Sequence, residues 1–160
     1  MAFTTIPGSS SAPTTLAGSA GIDSVSVGQD FLSKVFIGAQ QANDTVNLTG
    51  GGARSEFTIK GGQGSDTFTF GGSSLDQSFL NGNSDADTFG SNTDQVVITN
   101  STLQGGQGAD AIFVGSASSS IVNGNKQADT ISVTGSVSSA SVRGGANNDT
   151  ITVGNLAKLN

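Results

Sequence analysis

The stretch that decides the fold is Gly61–Thr69, GGQGSDTFT, together with its near-copy Gly105–Phe113, GGQGADAIF. In both stretches, glycines precede an aspartate, and a large apolar residue follows the aspartate by two positions. Glycine permits the positive φ angles of a tight turn, and the apolar residue is placed to start a strand that faces a core. Each stretch therefore predicts a turn that leads directly into a buried strand.

The aspartate of this pattern recurs through the chain at intervals of 19 to 23 residues. The residues two positions after it and seven positions before it are apolar in every copy, and the residue four positions after it is apolar in every copy except Ser91. Five positions before it, every copy has Gly except Ala39. Patterns that keep phase in this way indicate a true internal repeat. The repeated aspartates are Asp23, Asp44, Asp66, Asp87, Asp110, Asp129 and Asp149.

A repeat of this length with alternating apolar residues predicts an all-β protein, a parallel β-solenoid of about seven turns. Each turn is expected to hold two short strands and two corners, with neighbouring turns about 4.8 Å apart. One corner carries the aspartate, and the other is expected in the variable segments such as Gly71–Asp76 and Gly115–Ser119. Residues 1–15 are rich in Ser, Thr and Pro. They are predicted to form an N-terminal arm, so that the solenoid covers 16–160.

The composition excludes several classes of function. The chain contains no Cys, His, Trp or Tyr, which removes thiol chemistry, disulfides and the usual general base. The net charge is −6, and a nucleic-acid-binding protein needs a basic face. No apolar run approaches the ~18–20 residues of a membrane span. No cluster of charged residues suggests a catalytic cleft, so we expect a protein that is not an enzyme.

The acidic residues are concentrated in the repeat, since the repeated aspartates are 7 of the 12 Asp and Glu residues. Stacked turns would place them in one column along one edge. Carboxylates one strand spacing apart repel one another unless a cation lies between them, and a flexible oxygen-only site is typical of calcium. The sequence therefore predicts a calcium-binding edge. In an alternative that needs no metal, each aspartate hydrogen-bonds its own turn as an Asx motif.

A second level of order is visible two positions before the aspartate. Gly21, Gly64 and Gly108 occupy this position in turns one, three and five, and Asn147 occupies it in turn seven. Gly, and to a lesser degree Asn, tolerates the left-handed conformation. Alternate turns are therefore predicted to bind calcium better, and the structural unit to be two turns. The alternative is drift within a tolerant repeat.

From about residue 16 to residue 160, the sequence resembles the repeats-in-toxin (RTX) calcium-binding β-roll group. It has one motif in each turn, where the common form of that group has two. The one-motif form is similar to calcium solenoids of bacterial surface adhesins and to repeats of cyanobacterial surface and fibril proteins. The resemblance implies calcium between neighbouring turns, held by aspartates and by carbonyls of the glycine-rich loops. The implied metal-site residues are Asp23, Asp44, Gly61, Gln63, Gly64, Asp66, Asp87, Gly105, Gln107, Gly108, Asp110, Asp129, Gly144 and Asp149.

Together these features predict a secreted structural protein of the cell surface that assembles head-to-tail into filaments or layers. Leu159–Asn160 align with Leu80–Asn81, so the repeat stops half a turn after Asp149, and we expect strand edges to be exposed there. Surface polysaccharide and the cell envelope are further candidate partners. Two alternatives stay open: a repeat segment of a larger secreted RTX adhesin, and a fibre or structural protein of a virion.

Overall fold

The protein is a parallel β-solenoid of about seven turns. A computed structural model describes residues 3–6, 13–28 and 33–156, and these residues contain strands and turns but no helix. The predicted fold class is confirmed. The strands are β1 Phe3–Ile6, β2 Thr14–Ala17, β3 Ser24–Val27, β4 Val35–Gln41, β5 Thr45–Leu48, β6 Gly52–Ser55, β7 Thr58–Gln63, β8 Thr67–Thr69, β9 Ser73–Asp76, β10 Phe79–Ser84, β11 Thr88–Phe89, β12 Val96–Thr99, β13 Thr102–Gln107, β14 Ala111–Ser118, β15 Ile121–Lys126, β16 Thr130–Ser138, β17 Ser141–Ala146 and β18 Thr150–Leu156.

The strands form two parallel sheets. The strands that lead into each aspartate make a seven-stranded sheet in the order β17-β15-β13-β10-β7-β4-β2. The strands that follow each aspartate belong to an eleven-stranded sheet, which bends because β14 pairs with both β11 and β12. The register keeps equivalent repeat positions side by side, as in Ile37↔Ile59 and Leu80↔Leu103. The aspartate corner therefore lies where the chain passes from the first sheet to the second.

The prediction for the second corner is wrong in one respect, because much of that segment is a third strand. Gly71–Asp76 contains β9, and the segment after Gly115 continues β14, where Ala117 pairs with Ile98 of β12. Leu75, Ile98 and Ala117 are buried. The inward residues of this short wall are few, and in β6 the inward residue is the buried Arg54. The alternation is therefore too weak to be recognised as a strand in sequence.

The core consists of the predicted apolar columns. The described residues seven positions before the aspartate and two positions after it are fully buried in the middle turns, including Leu80, Phe89 and Leu103. Phe68 and Phe89, in adjacent turns, stack with ring centroids 4.4 Å apart and an interplanar angle of 7°. Each turn therefore contributes one layer of side chains to the core, and the layers depend on exact stacking of the turns.

Parts of the predicted arm lie in the sheets. Strand β1 pairs with β3, and β2 pairs with β4. Leu159–Asn160 lie outside the described residues. Nowhere in the described part of the chain is there a helix long and apolar enough to span a bilayer.

Candidate metal centre

The loop before each aspartate has the same backbone form in all but the first turn. Residues four and two positions before the aspartate have positive φ, as in Gly62 (122°) and Gly64 (108°). Residues other than glycine adopt the same form in alternate turns, such as Asn83 (78°) and Asp85 (71°). The two left-handed residues turn the chain so that the aspartate side chain points into the solenoid.

The aspartates form a buried ladder that links successive turns. The backbone N–H of each aspartate donates a hydrogen bond to Oδ1 of the aspartate in the next turn, at 2.8 Å for Asp66 to Asp87 and for Asp87 to Asp110. Asp66, Asp87 and Asp110 are at most 2% exposed. One carboxylate oxygen of each accepting residue thus holds the preceding turn in register. The six bonds, at 2.7–2.9 Å, join Asp23–Asp44, Asp44–Asp66, Asp66–Asp87, Asp87–Asp110, Asp110–Asp129 and Asp129–Asp149.

The second carboxylate oxygen is buried and has no hydrogen-bond donor in five of these residues. These five oxygens are Oδ2 of Asp44, Asp66, Asp87, Asp110 and Asp129. Each such group is normally satisfied in a folded protein, because an unpaired buried polar atom is costly and an unpaired buried charge more so. Because the five oxygens occupy equivalent positions, we expect the same kind of partner at each of them, either a cation or a proton.

In every turn except the second, which has Ala39, a glycine five positions before the aspartate makes room for this oxygen. A Cβ added to Gly61 would lie 2.1 Å from Asp66 Oδ2 and 2.7 Å from the carbonyl oxygen of Gly82 in the next turn. At Gly82 the corresponding distances are 1.9 Å to Asp87 Oδ2 and 2.5 Å to the carbonyl oxygen of Gly105. Two acceptors from neighbouring turns therefore approach the same small space. The glycine pattern seen in the sequence follows from this crowding.

Asp23 in the first turn is bound differently. Its Oδ2 accepts hydrogen bonds from the backbone N–H of Ser19 and from Ser19 Oγ, the latter at 2.9 Å. The carboxylate thus closes its own loop, as the metal-free alternative expects. In the five inner turns the corresponding Oδ2 has no hydrogen-bond donor.

A second ladder, of serines, lies at another corner of the solenoid. Ser78 Oγ accepts from the Phe57 N–H at 3.0 Å, and Ser101 Oγ accepts from the Ser78 N–H at 2.9 Å. Each hydroxyl also donates, Ser78 to the Asp76 carbonyl and Ser101 to the Thr99 carbonyl. A serine can accept and donate, whereas an ionised carboxylate only accepts. The serine ladder is therefore satisfied within the chain, and the aspartate ladder is not.

Burial also raises the pKa values of the aspartates in the column. Desolvation by burial, and less strongly the charge of neighbouring aspartates, raises the pKa of Asp66 to about 6, of Asp110 to about 7 and of Asp87 to about 8. The pKa values of Asp44 and Asp129 are raised by the same main cause. The hydrogen bond from the neighbouring backbone lowers each pKa but does not offset burial. Without a cation, the middle of the column therefore favours bound protons.

The other predicted site residues divide into two groups. Gly61, Gly105 and Gly144 lie directly beside the aspartates of their own loops, whereas Gln63 and Gln107 are exposed on the surface. No group of three or more Asp, Glu, His or Cys side chains converges as a metal site in the parts of the chain that the structure describes. Any cation at the column must therefore take ligands from backbone carbonyls as well as carboxylates.

The predicted two-turn unit has a steric basis. A Cβ on Gly64 would lie 2.4 Å from the carbonyl oxygen of Ala42, and one on Gly108 would lie 1.9 Å from that of Asp85. Gly62 and Gly106 are crowded in the same way by the preceding turn. Turns three and five need these glycines because carbonyl oxygens of the preceding turn occupy the space that a Cβ would take.

Sequence reasoning missed two contributors to this part of the structure. Asp85, which is not one of the repeated aspartates, accepts a hydrogen bond from the Gly64 N–H at 3.0 Å, and its charge helps to raise the pKa of Asp66 and Asp87. The serine ladder was also missed, although Ser78, Ser101 and Ser120 all stand nine positions before an aspartate.

Comparison with protein-family models, with curated proteins and with solved structures finds no match to this chain. The site must therefore be interpreted from its own geometry.

Replacing Gly106 with Ala tests the steric basis of the alternation. The new Cβ would lie 2.4 Å from the Asn83 carbonyl oxygen, so we expect a loss of at least about 2 kcal/mol of unfolding free energy. Gly52→Ala is the matched control, because Gly52 also has positive φ (106°) but has open space around its Cβ position. Equal losses for the two variants in chemical denaturation would show that the contact between turns is unimportant.

The raised pKa values of the buried aspartates predict an unusual pH dependence of stability for the protein in excess chelator. The folded-state pKa values of Asp66, Asp87 and Asp110 lie above the value of about 4 for an unfolded Asp. The folded state then binds more protons, so this stabilisation is fully present below about pH 4 and is lost as pH rises through 6 to 8. The Tm in excess chelator should therefore fall between pH 5 and pH 9. A Tm that stays constant or rises over this interval would contradict the burial of the carboxylates.

Proposed function

We propose that this chain is a non-enzymatic structural protein of the cell exterior, a β-solenoid whose aspartate column is neutralised by calcium. The observation that carries the proposal is the row of five buried carboxylate oxygens without a hydrogen-bond donor. The proposal accounts for these oxygens and for the glycines that make room for them.

The donor set favours a hard cation over a transition metal. The groups at the column are carboxylate and carbonyl oxygens, with no His or Cys in the chain, and calcium accepts six to eight such oxygens in flexible geometry. Aspartates of neighbouring turns, such as Asp66 and Asp87, would hold the ion together with carbonyls of the glycine-containing loops. Bound calcium would supply positive charge between carboxylates that otherwise repel each other.

The proposed location follows from the affinity that such a site can have. Shared carboxylates supplemented by neutral carbonyls are typical of weak sites, and extracellular calcium modules bind in the range of about 10⁻⁴–10⁻³ M. Calcium at that concentration is found outside cells. The absence of cysteine from the sequence means that the stability of the fold must come from the core, the ladders and the ion rather than from disulfides.

Asp110→Asn separates a calcium site from a simple hydrogen-bond ladder. Asn keeps an Oδ1 that can accept from the Asp87 N–H, but it removes the charge that would bind calcium. In chelator we expect the variant to be as stable as the wild type or more so. In calcium at about 100 times the proposed Kd, that is about 10–100 mM, it should lose about 2–3 kcal/mol of calcium-dependent stabilisation.

Asp76→Asn is the matched control for this comparison. Asp76 is partly exposed and accepts from Asn100 Nδ2 at 2.9 Å, far from the column. Its calcium response, measured by thermal melts with and without chelator, should equal that of the wild type. A wild-type Tm that is insensitive to calcium would refute the proposal, as would an unchanged calcium response in Asp110→Asn.

The proposed mode of assembly is end-to-end contact between copies of this chain. Strand β18 pairs only with β16, and β17 only with β15, in the described part of the chain. Ile151 on β18 is 42% exposed. A second copy can continue the stack at this end as one more turn. Such a contact is heterologous and does not close, so it propagates as a filament.

A charged residue at this edge should block the assembly. Ile151→Lys places a cation on the edge strand, which is a known means of preventing strand pairing. Ile121→Lys is the matched control, because Ile121 is equally exposed at 42% but lies on the outer face of the seven-stranded sheet. Sedimentation and electron microscopy in calcium should show filaments for wild type and control only. A monomeric wild type at high concentration, or filaments of Ile151→Lys, would contradict end-to-end assembly.

A further inference from the structure

A polar groove of about 450 Å³ lies on the outer side of the seven-stranded sheet, across turns four to six. Its volume is within the range of small-ligand sites. The groove is distinct from the aspartate column, whose side chains point inward. Its lining consists of Asn81, Asn83, Ser84, Gly106, Gln107, Asn125 and Lys126.

The groove exists because a glycine stands between two asparagines. Asn83 and Asn125 are in register with Gly106 on either side, so the missing side chain leaves a notch between two amides. Equivalent notches occur at Gly62, which is in register with Gln40 and Asn83, and at Gly145, which is in register with Asn125. The notches recur every two turns, about 10 Å apart. A row of equivalent notches fits a linear polymer better than a compact ligand.

The amides of the groove are held in place before any ligand arrives. Asn81 Oδ1 accepts from the Asn83 N–H at 3.0 Å. Asn123 Oδ1 accepts from the Asn125 N–H at 3.2 Å, and its Nδ2 donates to Asn125 Oδ1. Pre-organised groups lose less entropy on binding. Amides can both donate and accept hydrogen bonds, as the hydroxyl groups of a sugar do.

The charge of this sheet is opposite to that of the whole chain. Its strands contain three charged residues, Lys60, Lys126 and Arg143, all cationic and all exposed, although the net charge is −6. Three cations over five turns are too sparse for nucleic acid, which carries a charge every ~1.7 Å of duplex. They suit a polymer with well-separated negative charges.

Apolar residues complete the surface beside the groove. Ile121 is 42% exposed and Phe79 is partly exposed. Each stands two residues before an asparagine of the same strand, Asn123 and Asn81 respectively. Apolar side chains at this spacing offer contacts for the C–H faces of sugar rings, next to amides that reach their hydroxyls.

From these features we infer that the outer face of the seven-stranded sheet binds a linear polysaccharide that carries carboxylate groups. Lys126 pairs with a carboxylate, and the amides at the Gly106 notch bind hydroxyls. The inference rests on the proposed extracellular role and names a ligand class for it.

The test is isothermal titration of the full chain, in constant calcium, with a hyaluronan oligosaccharide long enough to cover turns three to seven. Lys126→Gln should weaken binding about tenfold, the effect of losing one charge-assisted hydrogen bond. Lys34→Gln is the matched control, because Lys34 is exposed but lies outside the seven-stranded sheet, and its affinity should equal that of the wild type. A neutral N-acetylglucosamine oligomer of the same length should bind at least tenfold more weakly.

The inference is overturned if the wild type does not bind hyaluronan, if both lysine variants lose affinity equally, or if oligothymidylate binds as tightly. The calcium-dependent Tm of the same samples separates this result from the proposed function. A normal calcium response without glycan binding refutes the polysaccharide site alone, whereas a missing calcium response refutes the proposed structural role.

Discussion

The structure depends on a column of aspartates that is buried one strand spacing apart. One oxygen of each carboxylate accepts the N–H of the preceding turn, as between Asp66 and Asp87, and so fixes the register of the stack. The other oxygen has no donor in five successive turns. Five buried carboxylates without a partner would cost more free energy than a marginally stable fold can offset. The fold therefore requires a cation or protons at this corner.

The serine ladder shows what a metal-free solution looks like in the same solenoid. Ser78 and Ser101 bind the neighbouring turn with the same geometry, and their hydroxyls then donate to nearby carbonyls. Serine at the aspartate corner would thus complete the hydrogen bonds without any ion. Because every turn has an acidic side chain instead, the stability of the fold depends on the cations or protons that the solvent supplies.

Much of this arrangement could be predicted from the sequence, because the apolar columns, the glycines and the aspartates keep one phase. The core position of Leu103, for example, follows from its place seven residues before Asp110. The third wall, formed by β6, β9, β12 and the ends of β14 and β16, could not be predicted, since one inward residue such as Leu75 gives no visible period. Likewise, no sequence pattern indicates which carboxylate oxygen of an aspartate accepts a hydrogen bond. The different bonding of Asp23 depends on the N–H and the hydroxyl of Ser19. The sequence shows this serine but not its hydrogen bonds.

The most direct test of the account is a crystal structure grown in calcium, with anomalous scattering used to locate the ions. The account predicts anomalous peaks between successive turns at the aspartate corner, each within about 2.3–2.6 Å of a carboxylate oxygen of the column. Asp44, Asp66, Asp87, Asp110 and Asp129 should all contribute through the oxygen that has no hydrogen-bond donor. A structure in saturating calcium that shows no peak at this corner, with the same carboxylates still buried, would contradict it.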